Sequence, residues 1–306
     1  MPESKEDSKK YIMISGIINI NKEVGISSNK CVGLVKKAFD MRKVGHTGTL
    51  DLEASGVLPI VIGKATRVSD FLMDEKKEYI TEAVFGKRTD TLDYAGKVIE
   101  SSDYEFTKEE LEEAMEKFKG KIIQSPPMYS AIKVNGQKLY DLARKGIEVE
   151  RKKREVEIFS FELIDFNFPK GSFKIACSKG TYIRSLIDDL GEALGSFAYV
   201  NSLSRTKVGD FFIEDAIKSE DILDINYDEL LEKLMPIDSA LKSYPKIILD
   251  SSYLKMATNG MTMEIRENKT DGLIRVYVED EFIGFGKIKS SKDKYFLKME
   301  KVFYEK

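Results

Sequence analysis

Two hydrophobic periods alternate along this chain, and neither displaces the other. Apolar and polar residues alternate in Ile17–Asn21, Tyr79–Phe85, Arg154–Phe161, Phe173–Ser178, Leu273–Val278 and Phe282–Lys287, as in strands with one buried face. Between these runs the apolar residues recur every three or four positions. Cys31, Val35 and Phe39 mark one face of a helix entered at Ser27 or Ser28. Thr107-Lys-Glu-Glu110 has the form of a capping box, and Leu111, Ala114, Met115 and Phe118 follow at helical spacing until Gly120. After Thr181, the set Ile183, Leu186, Ile187, Leu190 and Leu194 repeats that spacing and places Arg184 in a first helical turn. A helix-rich acidic stretch ends near Leu241. Ser243-Tyr-Pro245 then opens about sixty residues of short strands with turn signals at Asn268–Gly272 and Glu279–Glu281, a small β-rich module.

Composition narrows the function classes. With 306 residues, 42% apolar and 33% charged, the chain can bury a core in one large domain with an appendage, or in two domains. The apolar stretch Tyr11–Ile20 is interrupted by Ser15 and Gly16 and falls short of the roughly 20 residues that span a bilayer. The first ten residues alternate in charge and lack the cationic start of a signal peptide, so no membrane partner and a cytoplasmic location are expected. Two cysteines, Cys31 and Cys177, predict reduced core thiols and no cysteine-based zinc site. The net charge of −3 hides segregation. Lys121–Arg154 holds nine basic and three acidic residues, whereas Asp215–Glu232 holds seven acidic residues and one lysine, as on a solvated helical face. Taken alone, Arg151-Lys-Lys-Arg154 fits a solvated loop or strand edge.

The densest cluster of special residues is Gly45-His-Thr-Gly-Thr-Leu-Asp51-Leu-Glu-Ala-Ser-Gly56, with three glycines and the one histidine of the chain. It reads as a loop carrying short polar groups. One histidine rules out a multi-histidine metal site, and the loop lacks clustered acids, so no metal is expected. A hydrolase built from Ser55, His46 and Asp51 would lack a nucleophile elbow and crowd three groups into one loop. Neither a P-loop nor a dinucleotide fingerprint occurs, so no nucleotide cofactor is expected.

These residues resemble the TruB family of bacterial tRNA pseudouridine synthases. Gly45-His-Thr-Gly-Thr-Leu-Asp51 with Ala54-Ser-Gly-Val-Leu58 is similar to the family's catalytic motif. The likeness continues in order through Lys22–Asn29, Gly63–Arg67, Lys77-Glu-Tyr79, Gly86–Asp93, Gln124–Lys133, Gly136–Gly146, Gly180–Leu186 and Leu203–Gly209, covering roughly residues 14 to 240. It implies an α+β fold with a mixed, mostly antiparallel central sheet flanked by helices, and a small C-terminal β-rich module like a PUA domain. The implied organisation is a flexible tail (1–11), a catalytic domain (12–242) with an RNA-gripping insertion at about 122–154, and an RNA-binding module (243–306). The implied reaction isomerises uridine 55 in the T loop of tRNA, without a cofactor, after the base is flipped into a pocket.

By the same resemblance, Asp51 would be the catalytic carboxylate, acting as nucleophile or as base, and Arg184 would pair with it. Tyr79 and Leu203 would sandwich the uracil, and Tyr79 could also take the proton from the ring carbon. His46 would fill the vacated space in the RNA. Thr47, Gly48, Lys22, Tyr182, Lys133 and Arg144 complete the expected RNA-facing set, the basic insertion supplying phosphate contacts. tRNA is the expected partner, met by a monomer. The family usually carries proline where this chain has Leu52 and Glu23, which predicts a looser loop around Asp51. A reading from another class makes the chain an RNA-binding protein that remodels the tRNA elbow, with catalysis secondary.

Overall fold

A computed structural model describes residues 14–130, 132–134, 136–265, 271–291 and 294–304; the tail expected at 1–11 lies outside these residues. Ten strands form the larger sheet: β1 (Gly16–Lys22), β2 (Val44–His46), β3 (Ala54–Ile62), β4 (Lys77–Phe85), β5 (Gly120–Gln124), β6 (Arg154–Asn167), β7 (Lys170–Cys177), β8 (Ala198–Val208), β9 (Phe211–Phe212) and β10 (Ile217–Lys218). The main path runs β10-β1-β3-β8-β4-β7-β6-β5, with β2 on β3 and β9 on β8. The β1–β10 and β3–β8 pairs are parallel and the rest antiparallel, giving a mixed, mostly antiparallel sheet. The helices that bear on the site are α1 (Ser28–Ala38), α2 (Ser69–Asp74), α3 (Lys108–Glu116), α4 (Leu139–Ala143) and α5 (Ile183–Ala193).

The helix starts follow from their caps. Ser27 accepts the Lys30 N–H ahead of α1. Thr107 and Glu110 exchange side-chain-to-backbone bonds of 2.7 and 3.2 Å, the reciprocal box expected from the sequence.

Strands β1 and β3 are buried on both faces. Ile18, Ile20, Leu58, Ile60 and Ile62 pack with Val35 of α1, Leu111 of α3 and Leu186 of α5. On the opposite face Ile17, Val57 and Val61 pack against Phe285 and Phe303 of the C-terminal module. That module is a five-stranded sheet of β11 (Lys246–Leu249), β12 (Thr262–Ile265), β13 (Gly272–Val278), β14 (Glu281–Ser291) and β15 (Lys294–Val302), in the order β11-β13-β14-β15-β12. It has a core of its own around Ile274, Ile283 and Leu297.

The seam between the two sheets is also polar. Lys64 Nζ donates to the carbonyls of Phe303 and Tyr304 at 3.2 and 3.1 Å, and Arg67 Nη1 to that of Val302 at 2.8 Å. The Tyr277 hydroxyl donates to Asp238 at 2.6 Å; burial and that carboxylate push the phenol up to about 12.

Two sequence expectations change, and two strands appear that the sequence pattern does not announce. The glycine-rich segment is a loop only at residues 47–53, because Gly45 and His46 belong to β2 and Ala54–Gly56 to β3. The acidic stretch Asp215–Glu232 is helical at Tyr227–Glu232, and is otherwise made of short 3-10 turns and β10. Strands β3 and β8 lie at the sheet's centre, although neither alternates in sequence. No helix among the described residues is long and apolar enough to cross a membrane.

Candidate active site

The loop at residues 47–53 is pinned from several sides. The Ser28 hydroxyl and the Leu50 backbone exchange bonds of 3.0 and 3.2 Å. Thr47, buried, gives its N–H and its hydroxyl to the Pro59 carbonyl at 3.2 and 3.1 Å. The Leu52 carbonyl accepts the Gly25 N–H at 2.8 Å and Lys22 Nζ at 3.5 Å. Gly56 has φ +109°, and a Cβ there would stand 2.2 Å from the Arg205 carbonyl oxygen, so only glycine fits this crossing of β3 and β8. At Glu23, one of the two positions without proline, the side chain and the N–H add local ties. Glu23 Oε1 accepts the Ser219 hydroxyl and the Glu220 N–H, both at 2.8 Å, and its own N–H, which proline lacks, donates to Ser219 at 3.4 Å.

Asp51 projects from this loop to Arg184 at the start of α5. The approach is fixed by Gln124, whose side chain donates to the Tyr182 carbonyl at 3.0 Å and accepts the Tyr182 N–H at 2.8 Å. Arg184 Nη2 lies 2.9 Å from Asp51 Oδ2 and donates to the Tyr129 carbonyl at 2.8 Å. Its Nη1 donates to the Thr91 carbonyl at 2.8 Å and stands 3.5 Å from Asp93. The guanidinium side chain is 5% exposed and that of Asp51 38%, so the cation is fixed while the carboxylate faces open space. Asp93 was absent from the expected set; it is buried, and accepts the Thr91 hydroxyl at 2.6 Å and the Ala95 N–H at 3.2 Å.

Above the pair opens a cavity of about 960 Å³. Thr47, Gly48, Asp51, Tyr79, Tyr182, Arg184 and Leu203 of the expected set line it, joined by Lys77, Lys152, Lys153, Arg154 and Arg205. Tyr79 on β4 pairs with Arg205 on β8, and Leu203 with Thr81, so Tyr79 and Leu203 are diagonal neighbours on one face. Burial pushes the Tyr79 and Tyr182 phenols up, the Arg205 guanidinium opposing part of the effect at Tyr79.

Other expected residues sit elsewhere. Lys22 is fully buried and donates to the Glu23 and Ile26 carbonyls at 2.8 Å, so its ammonium ties the turn beside the loop. His46 lies on β2 outside the lining, its Nδ1 accepting the Gly48 N–H at 3.4 Å; burial, then Arg205, draws it down toward the neutral form. Arg144 stacks on Tyr140 of α4 with its Cζ 4.5 Å from the ring centre. The Lys133 side chain lies outside the described residues. Ser55 belongs to β3, opposite Ser204 and away from the lining, which leaves no assembled hydrolase triad.

Lys77 adds a titrating group. Its ammonium donates to the Met73 and Glu75 carbonyls, and burial, with Arg205 next, lowers it to about 8 from 10.5. Between these values the unfolded chain holds a proton that the folded protein has released, so stability rises with pH through that window. Denaturant titrations at pH 8 and pH 10 should show wild type gaining on Lys77→Met by up to about 1.4 kcal/mol per pH unit. A difference that is flat with pH would show that Lys77 keeps its proton in the folded protein and that burial does not lower it.

The chain is similar to known proteins over most of its length. Residues 36–183 match the family model described as TruB family pseudouridylate synthase (N terminal domain), and residues 184–242 match the tRNA pseudouridylate synthase B C-terminal domain. The chain is 45% identical over 278 residues to the tRNA pseudouridine synthase B of Clostridium tetani, covering 89% of this chain and 95% of that one. It is 43% identical over 295 residues to the protein of that name in Clostridium kluyveri, covering 95% and 100%. Among solved structures, a chain of a Cbf5-Nop10-Gar1 complex superposes with TM-score 0.74 at 28% identity, covering 94% of this chain and 85% of that one. A chain from an H/ACA RNP bound to a substrate RNA containing 2'-deoxyuridine gives the same TM-score at 25% identity, covering 95% and 85%.

Proposed function

Because the chain belongs to the TruB family of pseudouridylate synthases, we propose that it isomerises uridine 55 in the T loop of tRNA to pseudouridine at the Asp51 cavity. The observation that carries this reading is the Asp51–Arg184 pair at 2.9 Å beneath a cavity walled by Tyr79 and Leu203. A flipped base needs a flat apolar slot, and Tyr79 and Leu203 supply its two sides. The sugar then lies toward Asp51. Arg184 keeps that carboxylate aimed, and Asp93 holds Arg184 from behind. The N-glycosidic bond breaks, the ring turns, and its carbon bonds to the same sugar carbon, with no net change in redox state or composition.

Lys152, Lys153 and Arg154 line the same opening and are placed to meet phosphates. Replacing all three with alanine should lower the slope of log affinity against log salt by about two to three. An unchanged slope would remove this stretch from the RNA interface. In this reading the C-terminal module touches the tRNA away from the T loop.

The test is to incubate the protein with unmodified tRNA transcript and map pseudouridine by carbodiimide-dependent primer extension. A single new stop in the T loop is expected. Binding without a stop would favour the RNA-remodelling reading, and a stop elsewhere would reassign the target.

A further inference from the structure

A second guanidinium stands at the cavity, and among the described residues it has no ion-pair partner. Arg205 on β8 is 2% exposed. Its Nε donates to the Val57 carbonyl at 2.7 Å and its Nη2 to the Gly48 carbonyl at 3.2 Å, both neutral acceptors. Among the described residues no carboxylate stands within salt-bridge distance of it, whereas Arg184 is shared by Asp51 and Asp93. A buried cation without a counter-ion is costly, and its field reaches the neighbours: Arg205 helps to draw both His46 and Lys77 toward their neutral forms.

Its placement says what the charge faces. Arg205 is directly opposite Tyr79 and two residues from Leu203 on the same strand face, with no register shift between 203 and 205. All three line the cavity with Asp51. This positive charge, which also acts on the Tyr79 hydroxyl, therefore borders the slot assigned above to the flipped uracil.

Building on that assignment, we propose that Arg205 stabilises the negative charge of the uracil ring while it is detached from the sugar. Whichever role Asp51 takes, the electron pair of the C1′–N1 bond leaves with the ring. The anion rebonds through C5 to C1′, and the proton lost from C5 is matched by one gained at N1. Arg205 neither gives nor takes a proton. The Val57 and Gly48 carbonyls hold it in place beforehand, so its charge acts without reorganisation at the moment the bond breaks.

The experiment compares Arg205→Lys, Arg205→Gln and Arg205→Ala with wild type on unmodified tRNA transcript, measuring single-turnover rate, tRNA affinity and melting temperature for each. Arg205→Gln should lose about 10²- to 10³-fold in rate with affinity changed by less than about threefold, and Arg205→Lys should retain at least about tenfold more rate than Arg205→Gln. Added guanidinium should restore Arg205→Ala, and urea, which has the same shape without the charge, should not. Equal rates for the Lys and Gln variants, equal rescue by urea, or parallel loss of rate and affinity would overturn the proposal. If Arg205→Ala fails to fold, the Lys and Gln pair decides. An inactive wild type would instead sink the isomerase reading itself, so the two failures are distinguishable.

Discussion

Asp51→Asn should abolish pseudouridine formation, a fall of at least about 10⁴-fold, while tRNA affinity stays within about threefold of wild type. The amide keeps the size and position of the carboxylate but can neither attack a sugar carbon nor accept its proton. The fold should tolerate the change. Asp51 is 38% exposed, its loop is held by Ser28, Pro59 and Arg205 independently of the carboxylate, and Arg184 keeps Asp93 as a counter-ion. Loss of a partly exposed ion pair costs about 1 kcal/mol or less. Primer extension on transcript treated with the variant checks the chemistry, and filter binding checks the affinity. Residual turnover within tenfold of wild type would remove Asp51 from the reaction.

Phe285→Ala should destabilise the whole chain by about 3–5 kcal/mol, a large share of the roughly 5–15 kcal/mol available to a protein. Phe285 is fully buried at the seam, with ring centres of Phe71 and Tyr244 at 4.7 and 4.9 Å, and it shares a core with Ile17, Val57 and Val61. The expected melt is a single transition shifted downward, read by circular dichroism and by activity loss together. Two separated transitions, with the catalytic sheet unaffected, would show that the sheets fold apart. The sequence alone suggests that removing residues 243–306 weakens RNA binding more than chemistry. The seam changes that expectation: removal strips the cover from β1 and β3, and both functions should fall.

What the sequence shows and what it conceals have physical causes. Alternating runs such as Tyr79–Phe85 and capped helices such as Lys108–Glu116 are legible because one face is wet and the other dry. β3 is not, since both faces of Val57–Ile62 are buried and Pro59 argues against a central strand. β8 is hidden by two register shifts, between Val200 and Ser202 and between Arg205 and Lys207, which break the alternation. With β8 unread, Arg205 had no assigned face. Asp93 stood in a motif already noticed, but its reach to Arg184 depends on the turn at Leu92, where φ is +62°. Lys22 enters the RNA-facing set through the resemblance alone, and nothing in its sequence context shows that its ammonium is the loop's internal tie.

The seam has a further consequence, for measurement. Phe285 and Phe303 sit against the back of β3, and Asp51 lies three residues before that strand begins. The separation of Asp51 from the C-terminal sheet is therefore set by packed side chains, like the gap of a calliper. On the function proposed above, an RNA held at both ends would be gauged by its own dimensions, and a stem one base pair too long or too short would have to deform to place a base over Asp51.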